Sequence, residues 1–286
     1  MSRSSEELLH HYEQSGLLAR ILAGLKALGK DLNSLTHEDL APADEFHSHG
    51  RNATRALAEF ARIPSGSRVL DVGSGLGGPA RYLAATYGCD VSGIDLSPEF
   101  CSVANELSRL TGLAGRTRFQ VGDALALPFA DSHFDVVWTI QMQMNIADKR
   151  RLYDGIVRVL KPGGLFVCQE ACLGNGEPLD FPVPWASRPD QSHLADPESL
   201  RGLVRDAGLR ERSWRDFTAE IVAARKAQQA KAQASGAGGT SGFPPLGMHL
   251  VLGDQAAAKM ANSARNTDVG RVVFIQGVFE KPEFRS

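Results

Sequence analysis

The sequence predicts an α/β fold: a doubly wound, mostly parallel sheet of seven strands, with an N-terminal helical cap and an insertion before the last strand. Three observations predict it. Short β-rich runs alternate with helical stretches from residue 68 onward, the alternation that builds a parallel sheet with helices on both faces. The first run passes directly into a glycine cluster, as a strand does when it turns into a helix around a bound ligand. With 286 residues and 43% hydrophobic content, the chain has ample apolar mass for a large core.

Taken in order, residues 1–62 read as a helical cap. Leu17, Leu18, Ile21, Leu22 and Leu25 fall at helical spacing, a turn is expected around Pro42, and a further helix from about Asn52. The strand runs follow at Arg68 to Val72, Asp90 to Ile94, Arg116 to Val121, Phe134 to Thr139 and Leu165 to Glu170. Val159 to Gly164, with its Lys-Pro-Gly-Gly, is expected to end a helix and turn into the fifth of these. Leu209 to Trp214 is a weaker sixth strand and Arg271 to Glu280 a convincing seventh. Between the last two, residues 216–268 read as a helical insertion within a 63–286 domain: a helix, an Ala/Gly/Ser segment suited to a hinge, and a second helix from Gln255 to Arg265.

Composition removes several function classes. Thirty-one basic against thirty-three acidic residues leave a net charge of −2, without the field that recruits nucleic acid or an anionic membrane. No run approaches the roughly 20 apolar residues of a membrane span, and the N-terminus is polar, so a cytoplasmic protein is expected. Cys89, Cys101, Cys168 and Cys172 lack CxxC spacing, which argues for reduced thiols and against a metal site. Homodimerisation is left open.

The strongest local signal is Val69-Leu70-Asp71-Val72-Gly73-Ser74-Gly75-Leu76-Gly77-Gly78. Glycines there allow a tight turn and close approach of a ligand to the backbone. Gly73, Gly75 and Gly78 also satisfy GxGxxG, so a dinucleotide cofactor has to be weighed, and Asp95 at the next strand end suits either ligand by accepting ribose hydroxyls. Asp71 separates the two. A carboxylate beside the cofactor's charged end welcomes a sulfonium and an ammonium but repels a pyrophosphate, so S-adenosyl-L-methionine is favoured. Gly122-Asp123-Ala124 sets a second acidic residue at a strand's carboxyl end, where the adenine edge is expected.

In these motifs and their order, residues 46–172 resemble the class I S-adenosylmethionine-dependent methyltransferases, nearest to the ubiquinone-biosynthesis and sarcosine/dimethylglycine N-methyltransferase-like groups. The resemblance implies a Rossmann-like methyltransferase fold with an antiparallel last strand. It also implies that Gly73, Ser74 and Gly75 line the methionine portion, Asp95 and Leu96 the ribose, and Asp123 and Ala124 the adenine. Gln141 matches a position whose backbone faces the methionine moiety, and Arg51 one that supplies a group to the methionine carboxylate.

Methyl transfer from a sulfonium requires alignment, exclusion of water and, for hydroxyl or carbon acceptors, a base. The candidates are His47 and His49 beside Arg51, Tyr12 on the first helix near His11, and Glu170 at the end of the fifth strand. Gln143, Met144 and Asn145 follow the fourth strand as an amide-and-methionine mixture suited to a pocket floor. Trp185, after two prolines, could wall the pocket or hold an ammonium against its ring. The expected function is small-molecule methylation, with N-methylation of an amine or amino-acid derivative ahead of O- or C-methylation of a hydrophobic quinone-, phenol- or isoprenoid-like metabolite. A non-catalytic S-adenosylmethionine-binding regulator is the reading from another class. Nucleic-acid methylation is disfavoured because no basic stripe and no Asn/Asp-Pro-Pro-Tyr motif is present.

Overall fold

In the computed structural model, residues 16–234 and 244–283 are described. Seven strands form one sheet in the order β3-β2-β1-β4-β5-β7-β6: β1 (Arg68–Val72), β2 (Asp90–Asp95), β3 (Thr117–Val121), β4 (Phe134–Ile140), β5 (Leu160–Leu173), β6 (Arg210–Asp216) and β7 (Val272–Glu280). The first five are parallel to one another. β7 runs antiparallel to both β5 and β6, as the resemblance implies. The chain leaves β1 toward β3 on one side and returns to β4 on the other, so the strand order reverses between β1 and β4. The carboxyl ends of the strands part there into a crevice.

β4 lies at the centre and is covered on both faces, which is why Val136, Val137 and Trp138 run together without alternation and are fully buried. Helices close the two faces: α3 (Gly50–Ala61), α4 (Gly78–Tyr87) and α5 (Pro98–Leu110) around the first half, α6 (Lys149–Val159) and α7 (Pro197–Asp206) around the second. Ahead of them stand α1 (Leu17–Ala27) and α2 (His37–Asp44). The spacing that predicted α1 buries Leu17, Ile21 and Leu25 against Leu40 of α2 and Phe100, Val103 and Leu107 of α5. Leu246 and Val251 of the insertion join the same cluster. Cap and insertion therefore meet over α5 rather than lying at opposite ends.

Two expectations need correction. The turn expected around Pro42 comes later, because Thr36 and Asp39 form a reciprocal capping box that starts a short helix through Pro42 to Asp44. Lys161 to Gly164, expected as a connection, is absorbed into β5. Leu160 pairs with Phe134, while Gly163 N–H donates to Lys281 O at 2.8 Å and Lys281 N–H to Gly164 O at 2.9 Å. Backbone partners on both sides hold the segment in the sheet.

The insertion contains α8 (Thr218–Ala234), a single turn α9 (His249–Leu252) and α10 (Ala256–Asp268). Most of the segment read as a hinge, residues 235–243, lies outside the described residues, as do Tyr12 and His11. Among the described residues no helix is long and apolar enough to cross a membrane.

Candidate functional site

The crevice between β1 and β4 opens into a cavity of about 1010 Å³, its solvent-open mouth included. Each strand end contributes to it through backbone bonds that the sequence makes available. After β1, the N–H groups of Gly73 and Ser74 both donate to Ile94 O, at 2.9 and 3.0 Å. Gly73 has φ 74°, and a Cβ on Gly75 would come within 2.5 Å of Phe46 Cζ, so the turn admits glycine at these two points. After β2, Asp95 accepts from Gly75 N at 2.9 Å through one carboxylate oxygen and from Ser97 N at 2.9 Å through the other. That carboxylate ties two strand-end loops together. Burial pushes its pKa up and the backbone donors oppose the rise.

Asp71 is buried in the same wall, and burial together with the like charge of Asp95 lifts its carboxyl to about 7. Its Oδ2, Ser74 Oγ and Gln141 Nε2 are buried without a hydrogen-bond partner, although all three residues line the cavity. Unpaired buried polar atoms are costly, so three of them on residues that line one cavity suit a wall for a polar ligand. Asp123 and Ala124 enter after β3, where Asp123 Oδ1 accepts from Leu125 N at 2.8 Å.

A second cavity of about 1070 Å³ adjoins the first and shares Phe46, His47 and Gln141 with it. Met144, Met248, Met260, Trp185, Ile221 and Phe274 give it apolar walls. Its polar groups are His47, Ser48, His49, Gln141, Arg225, Gln228, Ser263 and Thr267, and Arg225 is paired with Asp268. No carboxylate side chain is among its described lining residues. His49 (φ 72°) and Gln141 (φ 47°) both hold left-handed backbone at its border, a strain that side-chain and backbone contacts sustain. Gln141 N–H donates to Gln169 O at 2.7 Å and its Oε1 accepts from Ser48 N at 3.1 Å. Burial lowers the pKa of both histidines, that of His47 to about 4, so both imidazoles are neutral near pH 7.

Of the residues expected from the sequence, Asp71, Gly73, Ser74, Gly75, Asp95, Leu96, Asp123, Ala124 and Asn145 meet at the first cavity, His49, Met144 and Trp185 at the second, and His47 and Gln141 at both. Three do not line either. Arg51 was expected to reach a carboxylate of the ligand, but its Nε lies 2.8 Å from Glu45 Oε1, its Nη1 3.0 Å from His37 Nδ1, and its guanidinium stacks over Tyr82. Arg51 is the cation beside the buried Glu45 and is engaged there. Glu170 is fully buried beneath the turn after β4, where its Oε2 accepts from Gln143 N at 3.2 Å and burial lifts its pKa to about 7. Gln143 turns inward toward Tyr153 and Thr139, so both act below the cavity floor instead of on its surface. The sequence reading missed Phe46 and Phe100. Phe46 adjoins the flagged histidines, whereas Phe100 is an ordinary core residue by pattern alone.

Comparisons with known proteins place this geometry. Residues 70–168 match the family model described as a methyltransferase domain. The chain is 44% identical over 172 residues to the 2-methyl-6-phytyl-1,4-hydroquinone methyltransferase of Synechocystis sp., covering 59% of this chain and 52% of that protein. It is 30% identical over 181 residues to the glycine/sarcosine/dimethylglycine N-methyltransferase of Actinopolyspora halophila, covering 63% and 31%. The chain spans between 31% and 56% of the length of the curated relatives it first matches. Among solved structures, the [4+2]-cyclase SpnF superposes with a TM-score of 0.66 at 23% identity, over 99% of this chain and 98% of that one.

Proposed function

We propose, for a chain that carries a class I S-adenosylmethionine-dependent methyltransferase domain, that it methylates a neutral, largely apolar small molecule at a hydroxyl. The observation that carries this reading is the second cavity: methionines and aromatics form its walls, two neutral histidines, amides, hydroxyls and the Asp268-paired Arg225 its polar points, and no carboxylate is among its described lining residues. An ammonium acceptor is best held by a carboxylate or a cage of ring faces. The sequence favoured an amine, and the rings of Phe46, Trp185 and Phe274 in the wall agree with that, but no carboxylate among the described lining residues supplies a countercharge.

The donor site fits the donor's chemistry. The unpartnered Asp71 Oδ2 suits a cationic end, Asp95 a ribose diol and Asp123 an adenine amino group. When bound, S-adenosylmethionine supplies an electrophilic methyl on a sulfonium. The protein's part is to align it with the acceptor across the Phe46–His47–Gln141 junction and to exclude water. The hydroquinone substrate named for the Synechocystis relative is of the proposed acceptor class.

Calorimetric titration with S-adenosylhomocysteine, followed by a methyl-transfer screen, tests the reading. Methyl ethers from lipophilic phenols or hydroquinones are expected, with little product from glycine-like amines. A preference for amines would overturn it, and donor binding with no product from any acceptor class would favour the regulator.

A pH dependence follows from Asp71. Its carboxyl titrates near 7 in the free protein, and a cationic donor stabilises only the ionised form. Donor affinity should therefore fall as the pH drops below about 7, toward ~tenfold per pH unit. S-adenosylhomocysteine, which lacks the sulfonium, should show a shallower slope, and Asp71→Asn should flatten both. Parallel slopes for the two ligands would place the sulfonium away from Asp71.

A further inference from the structure

Behind His47 lies a buried polar assembly that the donor site does not use. Its Nε2 stands 3.1 Å from Gly50 O, 3.3 Å from Glu45 Oε2 and 3.3 Å from Thr54 Oγ1. A carbonyl oxygen can only accept, so in the neutral ring the hydrogen is on Nε2 and the lone pair on Nδ1. Nδ1 makes no hydrogen bond among the described residues, and the ring lines both cavities at their junction. Glu45, fully buried, is fixed in turn: Arg51 Nε lies 2.8 Å from its Oε1 and Thr54 Oγ1 donates to its Oε2 at 2.6 Å.

We propose that Glu45 is a positioning residue that, held by Arg51 and Thr54, joins Gly50 O in holding the Nε2–H tautomer of His47 and so presents Nδ1 as the base for the acceptor's hydroxyl proton. This rests on the hydroxyl-acceptor reading above. In the step, the acceptor O–H proton passes to His47 Nδ1, the oxygen forms the bond to the methyl carbon, and the C–S bond breaks with its electron pair going to sulfur. The positive charge moves from the sulfonium to the imidazolium, and S-adenosylhomocysteine and the methyl ether are the products. The charged or titratable groups facing the ring are Glu45, Arg51 and His49. Burial pushes the Glu45 carboxyl up to about 8 while Arg51 opposes the rise, and the nascent imidazolium draws it toward its ionised form. Arg51 thereby acquires a role at the acceptor side rather than at the donor's carboxylate.

The test compares a 4-alkylphenol, neutral at the assay pH, with a 2-nitro-4-alkylphenol of equal chain length, ionised at that pH. His47→Asn should lower kcat for the neutral phenol ~100-fold or more and largely recover with the ionised phenol, which needs no base. Glu45→Gln should lower kcat for the neutral phenol ~10-fold or more with the same recovery. Because it strands the Arg51 charge, the charge-balanced pair Glu45→Gln with Arg51→Met and the milder Thr54→Val accompany it. Nitrogen NMR of the histidine rings supplies a readout independent of turnover: His47 should be the Nε2–H tautomer in the wild type and a mixture in the Glu45 variants.

Equal losses with both phenols, or an Nδ1–H tautomer in the wild type, would overturn the inference while leaving the function standing. A wild type that binds donor but methylates no phenol removes the function reading, and the base with it.

Discussion

Asp95→Ala is expected to weaken S-adenosylmethionine binding by ~3–4 kcal/mol, or ~100- to 1000-fold in Kd, in a protein that still folds. Two losses combine. The carboxylate no longer accepts from the ribose hydroxyls, each charge-assisted bond being worth about 1.5–3 kcal/mol. It also no longer accepts from Gly75 N and Ser97 N, so the glycine turn after β1 and the start of α5 lose their shared anchor. Asp95→Asn keeps one carbonyl acceptor and should fall between wild type and alanine. Calorimetry on variants whose circular dichroism matches the wild type measures this. Unchanged affinity in Asp95→Ala would mean that the ribose does not lie at the end of β2.

The largest stability effect is expected at Arg81. Its guanidinium is fully buried on α4, where Nη2 lies 2.8 Å from Asp44 Oδ2, and Nη1 donates to Ala104 O at 3.0 Å and to Ser108 Oγ at 3.2 Å. Nη2 also reaches Leu76 O. One planar fork thus joins the cap, the glycine loop and α5, a geometry that a lysine cannot reproduce. Arg81→Met keeps the volume but leaves Asp44 as a buried charge without its cation, and should lower unfolding free energy by ~3–5 kcal/mol. Adding Asp44→Asn should recover a good part of the loss, because the stranded charge disappears. Denaturant melts of the two variants measure the difference. A loss below ~1 kcal/mol for Arg81→Met would mean that water reaches Asp44 and that the cap is not clamped through this pair. Since Asp44 also lines the donor cavity, donor affinity should fall in the single variant even where it remains folded.

The strands and the acids that line the first cavity were readable because their signals are local. A strand facing apolar layers on both sides is a short apolar run, as in Phe134 to Ile140, and a strand-end carboxylate followed by glycine or proline is visible within a few residues. β1 was read with the bounds it has, and the other strands within a few residues, except β5. Its early start depends on bonds from Gly163 and Gly164 to Lys281, more than a hundred residues away, which no local window contains.

The same division governs the site. By itself the sequence determined the sheet with its crevice, the glycine turn and the acids Asp71, Asp95 and Asp123, since strand order and turn geometry place them whatever packs around. Tertiary structure alone decided which neighbour each polar side chain meets. Arg51, Glu170 and Gln143 carry the right chemistry at expected positions, yet buried partners take each of them away from the cavities. Glu45, silent in the sequence, instead stands behind His47. A charged or amide group that leaves water must find its complement, and the complement is chosen by the whole fold, because the energy of pairing inside the protein outweighs any local preference of the chain.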